Sequence, residues 1–221
     1  MSKIKICGLR RLEDAQIVNE GRPDFAGFIL TPSRRQVTVK EAESISQRMI
    51  PSIARVGVFA KETPGEIAEA ASILELDGIQ LHFDTNPAFL YELHYLLSRF
   101  PSYRTPFLWQ RIAVSASAVT GSAVDLSLFD GLLLDSFHDG QDGGTGKTFP
   151  WQPAMDYIVD NRLDASRIIV AGGLTADNVA EAISIFKPYA VDVSSGVETN
   201  GYKDHEKVLR FLETVRKAQV Q

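Results

Sequence analysis

The feature that most constrains the fold is a repeated alternation. Short apolar runs rich in β-branched residues, each halted by a small or polar residue, are followed in turn by stretches with helical spacing. A strand that is apolar on both faces needs cover on both. Strand-then-helix repetition supplies that cover through parallel strands joined by right-handed crossovers. The runs occupy residues 3–7, 24–30, 53–60, 77–82, 105–114 and 129–135, and then the stretches Ile168-Ile-Val-Ala-Gly-Gly-Leu174 and Ala190-Val-Asp-Val-Ser-Ser-Gly-Val-Glu198. Eight such units in 221 residues predict a single-domain (β/α)8 TIM barrel over 1–221, because closure covers both sheet edges without further elements. An open doubly wound sheet is the alternative.

The helical stretches carry recognisable starts and stops. Residues 11–20 end at Gly21, and Thr38 with Glu41 three residues on forms a capping box before 39–49. Pro64 and Pro87 stand at first helical positions, the second helix running to about residue 99. Residues 115–125 predict a short, weak helix, and 151–161, 175–186 and 204–218 predict three more. Residues 136–147, rich in Gly and Asp, are the longest irregular piece, and loops of that length in compact domains are commonly functional.

Composition removes several classes of function. A net charge of −5 offers no basic footprint for nucleic acid or an anionic membrane, so an anionic ligand must be gripped by local donors. No run of about 18 apolar residues is present to cross a bilayer, and the first residues lack a signal peptide's apolar stretch, so a cytoplasmic location is expected. The single cysteine, Cys7, excludes an internal disulfide and a thiolate cluster. The expected partner is a small phosphorylated molecule, with no nucleic acid, no membrane, and a monomer or weak homodimer as the working form.

Barrel enzymes carry their chemistry at the C-terminal strand ends, and phosphate commonly sits on the loops after strands seven and eight. Here those loops are Gly172-Gly173 and Ser194-Ser195-Gly196, which let several backbone N–H groups approach one anion. Taken alone, either segment is equally a tight turn or a cap. Cys7 and Asp135 end strands one and six, where a thiol and a carboxyl group can face each other across the mouth as base and acid. Asp135 follows the apolar run Gly131-Leu-Leu-Leu134, an environment that raises a carboxyl pKa and suits it to proton donation. A buried structural cysteine and a turn-forming aspartate are the plainer readings of the same two residues. His82 has no second ligand at metal spacing, so no metal site is expected and a hydrogen-bonding role is the default. Arg34 or Arg35 offers a two-pronged grip on a carboxylate.

These strand ends resemble a known family. Lys5-Ile-Cys-Gly8, Gly27-Phe28 with Ser33-Arg-Arg35, Val56-Gly-Val-Phe59, Gln80-Leu-His82, Leu134-Asp135 with Gly143-Gly-Thr-Gly-Lys-Thr-Phe149, Gly172-Gly173 and Val191-Asp-Val-Ser-Ser-Gly-Val-Glu198 are similar to phosphoribosylanthranilate isomerase of tryptophan biosynthesis. The match touches every strand end but the fifth. The resemblance implies an Amadori rearrangement of N-(5-phosphoribosyl)anthranilate, with Asp135 as general acid, Cys7 as general base and no cofactor. It implies that Arg35 holds the anthranilate carboxylate, that His82 lies in the binding site, and that Gly172, Gly173, Ser194, Ser195 and Gly196 cup the phosphate with Asp192 in support. It also implies that residues 142–147 fold over bound substrate. Two departures stand out: Phe83 replaces the family's glycine, with the pocket narrowed or the substrate ring stacked upon it, and Gln110 replaces a lysine, removing a cation from the rim. A phosphopentose epimerase would need metal-binding His and Asp at several strand ends, and an indole-glycerol-phosphate synthase would need lysines where this chain has Cys7 and Thr31. The remaining alternative is a catalytically altered phosphosugar-binding barrel acting as a regulator.

Overall fold

Alternation along each strand decides which side chains fill the barrel and which meet the helices. A computed structural model of the chain describes residues 1–99, 105–114, 119–120, 125–136 and 151–219. Its barrel strands are β1 (Lys3–Cys7), β2 (Phe25–Ile29), β3 (Ala54–Phe59), β4 (Gly78–Leu81) and β5 (Phe107–Val114). A two-residue strand β6 (Val119–Thr120) intervenes before β7 (Gly131–Ser136), β8 (Ile168–Val170) and β9 (Ala190–Val193) complete the wall. The parallel order β4-β3-β2-β1-β9-β8-β7-β5 is closed by pairing of β4 with β5, which gives the eight-stranded barrel the alternation predicted.

The helices outside it are α1 (Leu12–Gly21), α2 (Val39–Ser46), α3 (Pro64–Leu74), α4 (Pro87–Leu97), α5 (Trp151–Asp160), α6 (Val179–Phe186) and α7 (His205–Ala218). The predicted Thr38 cap forms, accepting from the backbone N–H of Glu41, and Thr63, just before Pro64, accepts in the same way from that of Glu66. Helix α6 begins later than expected, because residues 175–178 form a turn in which Asn178 accepts from the backbone N–H of Thr175.

The helix expected over 115–125 is corrected at residues 119–120; its residues 115–118 and 121–124 lie outside the described ones. Val119 and Thr120 are both β-branched, and they pair antiparallel with Val114 and Ala113 as an extension of β5. A single 3-10 turn at Leu126–Leu128 then leads into β7. The loop expected over 136–147 lies, beyond Ser136, outside the described residues.

Two cores result from the alternation. One fills the layer between strands and helices. The other plugs the barrel with Phe25, Val56, Trp109, Leu133, Ile169, Ala171 and Ala190, and the rings of Phe25 and Trp109 meet edge-on with centroids 5.1 Å apart. Acids at the starts of strands tie the floor together. Asp24, Asp77 and Asp130 accept from the backbone N–H groups of Ile4, Arg55 and Leu108 at 2.9, 2.8 and 2.7 Å. The opposite end is left free for chemistry.

Candidate active site

Above the apolar plug the inward-facing positions turn polar, and they surround one cleft of about 280 Å³. All ten predicted residues line it: Cys7, Arg35, His82, Asp135, Gly172, Gly173, Asp192, Ser194, Ser195 and Gly196. Gln80 and Leu133 join them from β4 and β7.

Cys7 ends β1 with its thiol buried at 6% exposure. Two residues earlier on the same strand face lies Lys5, fully buried, whose Nζ donates to Asp192 Oδ2 at 2.7 Å. Burial pushes the Cys7 thiol up, and the Lys5 ammonium opposes that push. Lys5 itself stays above its ordinary value: burial works against the ammonium, but the Asp192 carboxylate and Cys7 outweigh it.

Asp135 is the penultimate residue of β7, beneath the same opening, and Arg111 of β5 approaches its carboxylate at 3.3 Å. Burial raises the Asp135 carboxyl above the usual range despite that guanidinium, which is the condition expected of a proton donor. Position 111 was not singled out from sequence. The register of β5 explains it: Trp109 and Arg111 face inward, whereas Gln110 faces out and donates to the Phe83 and Arg111 carbonyls at 3.0 Å each. The expectation that Gln110 removes a cation from the rim is therefore corrected, since the strand delivers its cation one residue later. Phe83 likewise packs edge-on to Phe89, centroids 5.2 Å apart, and does not line the cleft.

His82 lines the cleft with a ring nitrogen against the Gln80 amide. Burial and the nearby Arg111 and Lys5 charges lower it to about 3, so the imidazole is neutral at physiological pH. Of the two arginines after β2, Arg35 is the one that reaches the site. Its Nε and Nη2 donate to Glu198 Oε1 and Oε2 at 2.9 and 3.1 Å, a fork that fixes the guanidinium beside the opening. Glu198 also accepts from buried Lys203 at 2.8 Å. Burial disfavours its charge, yet Arg35 and Lys203 together hold its carboxyl below the ordinary range. Glu198 and Lys203 face each other across a hairpin of β10 (Glu198–Thr199) and β11 (Tyr202–Lys203), an arrangement no local pattern announces.

The remaining corner is made of backbone. Gly172 and Gly173 both have positive φ, 76° and 68°, so only glycine turns the chain there without strain. A 3-10 turn spans Ser195–Val197, and the Lys203 ammonium donates to the Ser194 carbonyl at 3.0 Å. Ser194 Oγ, Asp192 Oδ1 and Gln80 Oε1 are buried around the cleft without protein partners among the described residues. Buried polar atoms of that kind are satisfied by a ligand or water.

A closed parallel barrel with a thiol, a carboxyl group and a glycine-serine corner around one cleft defines the class: a (β/α)8-barrel enzyme for a small phosphorylated molecule. The sequence pattern of N-(5'-phosphoribosyl)anthranilate (PRA) isomerase matches residues 4–214. The chain is 40% identical over 218 residues to N-(5'-phosphoribosyl)anthranilate isomerase of Acetivibrio thermocellus, covering 99% of this chain and 97% of that one. Against the Clostridium acetobutylicum isomerase it is 38% identical, with coverage of 98% and 99%. The crystal structure of the Thermotoga maritima phosphoribosylanthranilate isomerase superposes with a TM-score of 0.79 at 31% identity, over 98% of this chain and 100% of that one. An isomerase solved with reduced 1-(o-carboxyphenylamino)-1-deoxyribulose 5-phosphate superposes at 0.75, with 29% identity and the same coverage. The chain belongs to the N-(5'-phosphoribosyl)anthranilate isomerase family.

Proposed function

We propose that the chain isomerises N-(5'-phosphoribosyl)anthranilate to 1-(o-carboxyphenylamino)-1-deoxyribulose 5-phosphate, a step of tryptophan biosynthesis. The observation that carries this reading is the convergence of Cys7 and Asp135 on one cleft whose far corner is the glycine-serine cup. Asp135, its carboxyl raised above the usual range by burial, gives its proton to the furanose ring oxygen as the C1–O bond breaks and the nitrogen lone pair forms the C1=N iminium. Arg111 stabilises the carboxylate left behind. Cys7 as thiolate takes the C2 proton, and the C–H electrons flow into C1=C2 as the iminium nitrogen regains its lone pair. The enolamine then gains a proton at C1 and loses one from the C2 hydroxyl to become the ketone. The iminium is the electron sink, so the chemistry calls for neither metal nor organic cofactor.

In this scheme Arg35, oriented by Glu198, meets the anthranilate carboxylate with the guanidinium edge that Glu198 leaves. Gly172, Gly173, Ser194, Ser195 and Gly196 take the phosphate, and His82 contributes a neutral polar wall. Asp192 serves the site through Lys5. A relative from Thermotoga maritima is described as dimeric, and for this chain we propose a monomer or weak homodimer, to be read by light scattering. Among the described residues no helix is long and apolar enough to cross a membrane, which agrees with action in the cytoplasm.

Loss of substrate fluorescence on adding the protein tests the reading, together with growth of a host lacking this isomerase. Conversion and rescue are expected. Binding of the substrate with no turnover would instead favour a regulatory barrel.

A further inference from the structure

Lys5 poses a physical problem that the fold alone does not answer. Its side chain is fully buried just above the apolar plug, where moving an ammonium out of water costs several kcal/mol. Asp192, on the neighbouring strand β9, repays part of that cost at 2.7 Å. Buried ion pairs are often no more stabilising than apolar residues of the same volume. The layer below this pair is apolar, and an apolar pair could continue it, so burial alone does not call for charges here.

The position of the pair suggests what it does. Lys5 and Cys7 project from the same face of β1, and both press against Gly27 of β2. A Cβ built on Gly27 would come within 2.8 Å of Cys7 Sγ and 3.1 Å of Lys5 Cε, so the missing side chain is what lets sulfur and lysine stem share that space. An ammonium has three donors, and Asp192 Oδ2 occupies one of them.

We propose that Lys5 is the positioning residue for Cys7: its ammonium, anchored by Asp192, stabilises the thiolate that removes the C2 proton. This rests on the isomerase reading, in which Cys7 is the base. The other charged groups bordering the thiol's side of the cleft are arranged less directly. Lys203 of β11 adds a second, weaker positive influence, and the Asp192 carboxylate opposes ionisation of Cys7 while holding Lys5 in place. Arg35 is occupied by Glu198, Asp135 is held by Arg111, and His82 is neutral. Lys5 is thus the cation placed to compensate a negative sulfur.

The account makes opposite predictions for the two members of the pair. Cys7 is the chain's sole cysteine, so the pH dependence of its alkylation by iodoacetamide, or of ultraviolet thiolate absorbance, reports on it alone. Lys5→Met is expected to move the thiolate midpoint up by about one unit or more, slowing alkylation roughly tenfold at a fixed pH below the midpoint. Asp192→Asn is expected to move it down, because it removes a negative charge and leaves the ammonium to Cys7. A merely structural role would not give opposite signs. Unchanged midpoints in folded variants, or shifts of the same sign, would overturn the proposal.

Should either variant fail to fold, the unaltered protein still decides the matter. The Nζ resonance of Lys5 must shift as Cys7 ionises, and again when Cys7 is alkylated. A Lys5 signal indifferent to both would refute it. Failure of the two readings is distinguishable: conversion by the unaltered protein with immobile midpoints sinks only the role of Lys5. Shifted midpoints without conversion sink the isomerase reading.

Discussion

Gly196→Ala offers the sharpest test of the phosphate corner. A Cβ on Gly196 would lie 1.9 Å from the Leu174 carbonyl oxygen and 3.0 Å from its carbon, both backbone atoms, whereas ordinary contact begins near 3.4 Å. No side-chain rotation relieves such a clash, so the turn at Ser195–Val197 must move away from the loop after β8 by more than an ångström. These two loops are the proposed cup, and misplacement by about 1 Å can cost roughly 10²-fold in rate. The expected loss in kcat/KM is therefore about 10²-fold, or about 2.7 kcal/mol, with KM carrying most of it. Steady-state loss of substrate fluorescence measures both constants, and competitive inhibition by inorganic phosphate should weaken in parallel. Gly65→Ala is the control: a Cβ there meets nothing within 4 Å, and both constants should hold. A folded Gly196→Ala protein with unchanged KM and unchanged phosphate inhibition would refute this reasoning.

The remaining predictions concern pH, the carboxylate grip and the barrel floor. Asp135 is raised but Cys7 lies above its ordinary thiol value, so kcat/KM should form a broad plateau: activity falls below the Asp135 midpoint, where Cys7 must give up a proton to act, and above the Cys7 midpoint, where Asp135 has none to donate. A profile that rises through neutral pH and never falls at alkaline pH would contradict it. Arg35→Ala should raise KM about tenfold or more with kcat changed far less, the scale of a lost charge-assisted hydrogen bond, and an unchanged KM would remove Arg35 from substrate binding. Asp77→Ala strips the acceptor from the Arg55 backbone N–H and should lower unfolding free energy by about 1–3 kcal/mol in urea titration while kcat stays put, the site being at the other end of the barrel.

The sequence is most legible where one residue's surroundings are set by its own strand or helix. Alternation on β1 places Cys7 inward, the Thr38–Glu41 pair places a cap, and glycines without an alternative backbone conformation mark the cup. Legibility fails where a contact joins distant segments. Glu198 lies within a recognisable motif, yet its work is to hold Arg35 and Lys203, which only the closed barrel and the β10–β11 hairpin bring to it. Lys5 was visible as part of Lys5-Ile-Cys-Gly8, but its partner Asp192 is 187 residues away. Strand β5 failed for a different reason: two adjacent polar residues, Gln110 and Arg111, leave a period-two pattern ambiguous, and one residue of register exchanges inside for outside. The helix expected over 115–125 failed at residues 119–120, where β-branched Val119 and Thr120 pair with the end of β5.

The most direct test of the account is turnover of N-(5'-phosphoribosyl)anthranilate by Cys7→Ala and Asp135→Asn proteins beside the unaltered chain. The geometry predicts that each substitution lowers kcat by about 10² or more while substrate is still bound, the usual scale for a positioned base or acid. Turnover near that of the unaltered chain in either variant would contradict the claim that the sulfur and the carboxyl group act from two sides on one sugar.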